Sequence, residues 1–173
     1  MDSALETTFA AGACPHVAML LSSPEEVAPT LASFYALGAK RNGWLCHRSM
    51  AGRADCDRSA LIAAGLDVET LEAEGRMAFT EIDTGISVQD WVHAWEPQME
   101  AALARGFDAA WWARFPIGPD ADIIERSVEY DQAWDDHFHD RPCVSLCIFI
   151  VRDVERDRRA AQLALTHDSV LSA

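Results

Sequence analysis

The stretch that decides the fold is His16–Leu21 (HVAMLL) followed directly by Ser22–Glu26 (SSPEE). The first part is a short apolar run, which predicts a buried β-strand. In the second part, Ser23 is typical of a helix N-cap and Pro24 of the first helical position. Nucleotide-binding α/β proteins usually have a glycine-rich, phosphate-binding loop at this junction. Because this junction has two carboxylates and no glycine, the sequence predicts an α/β domain without such a loop.

The composition and net charge of the chain argue against nucleic-acid binding. Half of the 173 residues are hydrophobic, and the formal net charge is −14, with Lys40 as the only lysine. An acidic surface repels nucleic acid, whose binding depends on basic residues that contact phosphates. The arginines of 152–159 alternate with acidic residues, so they indicate a solvated helix face or a protein-binding face rather than a basic stripe.

The domain organisation predicted from the sequence is simple. Residues 1–13 are small and polar, so they predict a flexible N-terminal tail, and residues 14–173 predict a single domain. The chain has no apolar run of the roughly 20 residues that a membrane span requires. Acidic residues stand near the N-terminus where a signal peptide has basic ones. We therefore expect a cytoplasmic protein whose five cysteines are reduced thiols.

Hydrophobic patterning predicts alternating strands and helices. The predicted strands are His16–Leu21, Trp44–His47, Met77–Glu81, Ala109–Phe115 and Cys143–Val151. The predicted helices are Pro24–Lys40, Arg53–Ala64, Val68–Glu74, Val88–Arg105, Ala121–Phe138 and Val154–Ala164. Pro97 predicts a kink or a new helix after Trp95. This alternation favours an α/β fold with a mostly parallel central sheet and helices on both faces.

Several motifs in order carry a family resemblance. They are His16, Ser23–Glu26, Phe34–Gly38, Gly65–Val68, Gly75, Trp95, Gly106–Phe107, Glu129–Tyr130, Cys147 and Leu165–His167. With these motifs the chain from about His16 to Leu171 resembles the MEDS family, the methanogen/methylotroph DcmR-type sensory domain. The resemblance implies a core related to the RecA and KaiC ATPases but without their phosphate loop. It also implies the sensing of a small hydrocarbon-like or related metabolite, with the signal passed to an attached or separate output module. For this chain we expect a signal passed in trans, through a protein partner or a homo-oligomer, as in transcription regulation.

The chain departs from the family pattern around the implied pocket. Ala18 and Leu21 stand where the family tends to have cysteine and tyrosine, and 111–115 (WWARF) stands where it usually has a Gly-Glu pair. Apolar residues 148–149 follow Cys147, where the family favours a polar residue and tyrosine. These departures indicate a more apolar, aromatic pocket with arginine in place of an acid.

Open α/β sheets bind ligands at the carboxyl ends of their strands. The candidate ligand-binding residues are His16, Trp111, Trp112, Arg114, Phe115, Glu129 and Cys147. Each has a structural alternative: core packing for the tryptophans, an exposed position for Arg114 and Glu129, and a backbone hydrogen bond for His16 or His167. As a ligand contact, Arg114 is expected to bind an anionic group, and its replacement by alanine should leave thermal unfolding nearly unchanged.

The sequence gives little support for a cofactor or a metal. Cys143 and Cys147 share a strand face about 13 Å apart, which is too far for one metal ion. We therefore expect no cofactor, no metal and no enzymatic activity. Two alternatives stay open: an interaction module without a ligand, and an enzyme that uses a metal or pairs Cys46 or Cys147 with a histidine, since such groups assemble in space rather than in sequence.

Overall fold

In the computed structural model of the chain, residues 2–10, 15–81, 87–114, 121–151 and 156–172 are described. The strands are β1 (His16–Leu21), β2 (Gly43–Ser49), β3 (Met77–Glu81), β4 (Ala109–Arg114), β5 (Cys143–Ile150) and β6 (Ser169–Ser172). The helices are α1 (Asp2–Thr8), α2 (Val27–Lys40), α3 (Ala54–Ala63), α4 (Val68–Ala73), α5 (Val88–Ala104), α6 (Ala121–Phe138) and α7 (Arg156–Leu163). A 3-10 turn, Pro24–Glu26, joins β1 to α2.

The six strands form one sheet in the order β3-β2-β4-β5-β1-β6. Every strand pairing among the described residues is parallel. The predicted α/β class is therefore confirmed. The strand β5 lies between β4 and β1 and is apolar on both sides, as expected for the centre of a parallel sheet.

Each face of the sheet carries its own apolar core, because successive side chains of a strand point to opposite faces. On one face, here called the α2 face, Val17 and Trp111 pack with residues of α1, α2, α3 and α4. On the other, the α5 face, Ala18 and Trp112 pack with residues of α5, α6 and α7. The neighbouring tryptophans are therefore parts of two separate cores.

The prediction of a flexible tail is wrong for residues 2–10. These residues include α1, and Leu5 and Phe9 are buried against the α2 face. The Phe9 ring lies 5.2 Å from that of Phe34 and 5.6 Å from that of Trp111. Leu5 lies on the seven-residue helix α1 and Phe9 directly follows it, so the segment has too few residues to show a period in the sequence.

The structure differs from the sequence-based expectations in two further places: α5 does not end after Trp95, and a strand follows the last predicted element. The helix α5 continues through Pro97, which is exposed, while Trp95 and Met99 keep their buried positions on either side of it. At the end of the chain, Ser169–Ser172 adds an edge strand beyond the last predicted element. A four-residue, half-buried edge strand leaves little hydrophobic pattern to detect.

A close approach between α2 and the sheet depends on two glycines. A Cβ atom at Gly43 would lie 2.3 Å from Cδ1 of Trp111 and 2.9 Å from the carbonyl oxygen of Gly38. We expect Gly43→Ala to lower the free energy of unfolding by about 1–3 kcal/mol through overpacking, as measured by urea denaturation. The loss should shrink when Trp111 is also replaced by phenylalanine. An equal loss in both backgrounds would mean that the tryptophan is not the obstacle.

No helix among the described residues combines the length and apolar character needed to cross a membrane.

Candidate functional site

Five polar residues meet beneath the α5 face, and we call them the polar cluster: His16, Arg114, Asp131, Cys147 and His167. All five are buried, with residue exposures of 8% or less. They come from the start of β1, the end of β4, the helix α6, the middle of β5 and the segment before β6. Buried polar residues need partners, so the contacts of this cluster decide its role.

Strand register brings the first members of the polar cluster together. Ala18 is the β5 partner of Cys147, and alternation along β1 places His16 on the same sheet face as Ala18. The His167 ring lies 4.1 Å from the ring of His16, centroid to centroid. Asp168 fixes this arrangement, since its carboxylate accepts from the His16 amide and its own amide donates to the His16 carbonyl, both at 2.8 Å.

Asp131 lies at the centre of the polar cluster. Its Oδ1 is 3.0 Å from Nη2 of Arg114 and 3.5 Å from Sγ of Cys147. Its Oδ2 is 3.8 Å from Nε2 of His167. The thiol of Cys147 is also 3.4 Å from Nε2 of His16. Arg114 in turn lies over the Phe149 ring, with Cζ 5.9 Å from the ring centroid.

Burial controls the ionisation of the polar cluster. It raises the pKa of Cys147 well above its ordinary value, and the Asp131 charge adds to this rise. Burial also lowers the pKa of both His16 and His167. For Arg114, burial lowers the pKa, but the Asp131 charge, the Cys147 thiol and the hydrogen bond to Asp131 together outweigh it, so the net shift is upward. The cluster is therefore an Arg–Asp ion pair beside a neutral thiol and two neutral imidazoles.

A second site, here called the carboxyl-edge cleft, opens on the α2 face between α2 and α3. Its volume is about 240 Å³. The residues that line it are Pro24, Val27, Ala28, Leu31, His47, Arg53, Asp57, Ala60, Leu61 and Ile150. It lies where β2 and β5 end and where the 3-10 turn follows β1, at the carboxyl edge of the sheet.

A hydrogen-bonded chain of side chains reaches the wall of the cleft. The Tyr35 hydroxyl lies 3.1 Å from Nδ1 of His47, and Nε2 of His47 lies 3.4 Å from Oδ2 of Asp57. Burial raises the pKa of Asp57, but its interactions with His47 and other neighbours outweigh this and lower it. The cleft therefore combines apolar walls with one imidazole–carboxylate pair that can orient a polar group.

The junction after β1 binds its own carboxylate. The side chain of Glu26 accepts hydrogen bonds from the amides of Ser22 and Ser23, each at 2.9 Å. These are the first amides beyond the strand, at the place where phosphate-binding proteins hold an anion. In this chain a protein carboxylate already occupies them.

The family model for MEDS, the methanogen/methylotroph DcmR sensory domain, matches residues 15–168, which is most of the chain. The chain belongs to the MEDS family. Members of a sensory family act in regulation, so a sensory or regulatory role follows for this chain. The resemblance inferred from the motifs between His16 and Leu171 is thereby confirmed.

Solved structures support the fold of this MEDS domain. A KaiC-like protein of Pyrococcus horikoshii matches with a TM-score of 0.57 at 14% identity, over 76% of this chain and 59% of that protein. An uncharacterised protein of the same organism, solved with an unknown peptide, matches with a TM-score of 0.57 at 13% identity, over 98% and 82% of the two chains. At such identities the likeness shows the fold alone, and it confirms the expected KaiC-like core. No curated protein sequence matches this chain significantly.

The structure brings together only some of the predicted site residues of the MEDS domain. His16, Arg114 and Cys147 meet in the polar cluster, and Arg114 is buried rather than exposed. Trp111 and Trp112 fill the two cores, as the packing alternative proposed. Phe115 lies outside the described residues.

The predicted acid on α6 does not belong to the polar cluster. Glu129 is exposed, and the buried acid is Asp131, two residues later. Asp131 shares a helix face with the buried Trp134 and Phe138, three and seven residues away. That helical spacing could have identified it. From the sequence, His47 is identified only as the last residue of a predicted strand, not as a site residue. Asp57 stands in the mostly exposed helix α3, so the hydrophobic pattern gives no reason to select it.

Proposed function

We propose that this MEDS domain binds a small, partly apolar metabolite in the carboxyl-edge cleft and passes its occupancy to a protein partner. The position of the cleft carries the proposal, because open α/β sheets bind their ligands at the carboxyl ends of the strands. The family supplies the sensory role, and the cleft supplies a place for the molecule that is sensed.

The shape and lining of the cleft limit its ligand. Its volume of about 240 Å³ lies below the roughly 300–1,000 Å³ of sites for drug-sized molecules. Val27, Leu31 and Leu61 favour an aliphatic body. His47 and Asp57 favour a hydroxyl or amine that can donate to the carboxylate or exchange a hydrogen bond with the imidazole. A short aliphatic alcohol or amine has this chemistry.

The same geometry supports a role without catalysis. Glu26 occupies the amides that a nucleotide phosphate would need. Burial raises the pKa of the Cys46 thiol to about 12, and that of Cys147 is also raised, so neither is an activated nucleophile.

The test uses n-hexanol as the probe, followed by ¹H–¹⁵N NMR of the labelled protein. We expect saturable shift changes at residues that line the cleft, including Ala28, His47 and Ala60. Hexylamine should give the same pattern, because its amine can also donate to the Asp57 carboxylate. Ala28→Trp should fill the cleft and abolish the shifts, whereas Ala161→Trp, at an exposed position on α7, should leave them unchanged.

Shifts that persist in Ala28→Trp, or that lie away from the cleft, would contradict the assignment. Loss of binding in both tryptophan variants would point to general damage instead, which a thermal melt of each variant distinguishes.

The net charge of −14 favours a second candidate function, an interaction module whose acidic surface binds a basic partner without any ligand. Both candidates expect a partner complex that weakens as salt rises. They differ in one respect. A sensor's partner affinity changes with n-hexanol and loses that response in Ala28→Trp, whereas an interaction module's affinity is the same with and without the probe.

A further inference from the structure

We infer that the polar cluster is a binding site for one divalent transition-metal ion of the zinc class, held by His16, Asp131, Cys147 and His167. These four side chains each offer one ligand atom, and the four atoms all lie within 4.8 Å of one another. Two imidazoles, a thiol and a carboxylate form a ligand set that suits zinc. They come from four separate segments of the chain, so the spacing of cysteines along the sequence could not reveal the set.

The separations match those around a tetrahedral ion. Ligands at the usual zinc distances of about 2.0–2.3 Å lie roughly 3.3–3.8 Å apart along a tetrahedral edge. The cluster has 3.4 Å from His16 Nε2 to Cys147 Sγ and 3.5 Å from Cys147 Sγ to Asp131 Oδ1. It has 4.0 Å from His16 Nε2 to Asp131 Oδ1 and 3.8 Å from His167 Nε2 to Asp131 Oδ2. All separations within the set are at most 4.8 Å, so shifts of up to about 1 Å would close it around an ion.

The orientation of His167 supplies a second, independent observation. Its Nδ1 lies 3.0 Å from the carbonyl oxygen of Leu163, which can only accept, and 3.1 Å from the Thr166 hydroxyl, which can accept or donate. In the tautomer in which the ring donates to that carbonyl, Nδ1 carries the proton. Its buried Nε2 therefore presents a lone pair to the Asp131 carboxylate and has no hydrogen-bond partner. Two facing lone pairs repel each other unless a cation lies between them. A ring whose other nitrogen donates to a carbonyl is also the usual state of a histidine that binds metal.

Charge and proton balance are consistent with a divalent ion. Binding replaces the Cys147 proton, which leaves to solvent. The thiolate and the Asp131 carboxylate offset the two positive charges of the ion, and with the Arg114 guanidinium the occupied site carries a net charge of about +1. Arg114 keeps its 3.0 Å contact with Asp131 and holds the carboxylate from outside the ligand set. The two histidines bind as neutral imidazoles.

A small crevice lies beside His16, one of the four ligands. It has a volume of about 10 Å³, room for roughly one water molecule. It is lined by His16, Trp134, Asp135, Phe138, His139, Cys143 and Asp168. The carboxylates of Asp135 and Asp168 place negative charge at this crevice. The site lies on the α5 face and the carboxyl-edge cleft on the α2 face, so either assignment can fail without the other.

The test begins with chelator-treated protein and Co²⁺ as a spectroscopic probe. We expect saturable 1:1 binding with a thiolate-to-cobalt charge-transfer band, displacement by Zn²⁺, and release of about one proton per metal ion by calorimetry in buffers of different ionisation enthalpy. Cys147→Ser should abolish the band and weaken binding at least tenfold. Cys143→Ser is the matched control, since it removes a buried thiol from the same strand outside the ligand set.

A measurement on the unaltered chain keeps the inference testable if Cys147→Ser does not fold. Zn²⁺ should move the Nε2 resonances of His16 and His167 in a long-range ¹H–¹⁵N spectrum and leave that of His47 in place. No saturable metal binding by the folded protein, or a charge-transfer band that survives in Cys147→Ser and disappears in Cys143→Ser, would overturn the site.

Discussion

Replacing Arg114 with methionine should lower the free energy of unfolding by about 3–5 kcal/mol, the usual cost of removing one partner of a buried ion pair. The substitution leaves the Asp131 carboxylate buried without its cation, and both side chains are 5% exposed or less. Urea denaturation of metal-free protein, followed by tryptophan fluorescence, measures the loss. This expected loss of stability differs from the sequence-based expectation, in which Arg114 contacts a ligand and its replacement leaves thermal unfolding nearly unchanged.

Two controls separate the ion pair from other causes. Arg114→Met combined with Asp131→Leu removes both charges and should recover much of the loss, because an apolar pair can replace a buried ion pair at little cost. Arg58→Met removes a half-exposed arginine paired with Glu72 and should cost no more than about 1 kcal/mol. A loss under 0.5 kcal/mol for Arg114→Met would contradict the polar cluster.

Trp112→Ala should also lower the free energy of unfolding by about 3–5 kcal/mol. The Trp112 ring stacks on Trp134 with 4.2 Å between centroids and lies 6.1 Å from that of Trp95. Removing it leaves a cavity among three elements, β4, α5 and α6, that cannot all close around alanine. Calorimetric unfolding and urea denaturation both report the change.

The control for Trp112→Ala is Leu165→Ala, which removes an apolar side chain that is 84% exposed. It should change stability by less than about 0.5 kcal/mol. If Trp112 were instead the wall of an open ligand pocket, its removal would affect binding far more than unfolding. A loss below 1 kcal/mol for Trp112→Ala would therefore favour the original interpretation of this residue as a ligand contact.

The strands were the most predictable part of the fold. β1 and β3 begin and end at the predicted residues, since short apolar runs determine burial locally. The sequence did not predict α1 or β6, which are both short. The helix α1 is held by the packing of Leu5 and Phe9 in the core that includes α2, and β6 is held by its pairing with β1. Pro97 does not end α5, because a proline at an exposed position can be accommodated within a long amphipathic helix.

The sites were less predictable because they depend on how helices pack on the sheet. His16 and Cys147 were found through the family resemblance, but their acidic partner Asp131 was missed by two residues, since only the rotation of α6 decides which acid is buried. The cleft depends on the spacing between α2 and α3. Asp57 stands ten residues after His47 in the chain, and the position of α3 brings the two side chains together.

One NMR sample tests most directly the central claim that this sensory domain has two separate sites. The labelled, metal-free protein receives n-hexanol first and Zn²⁺ second. We expect n-hexanol to move resonances of the carboxyl-edge cleft, including Ala28 and His47, and Zn²⁺ to move those of His16, Cys147 and His167. The two sets should not overlap. An n-hexanol response centred on the polar cluster, or no saturable n-hexanol response at all, would contradict the placement of the sensory site in the cleft.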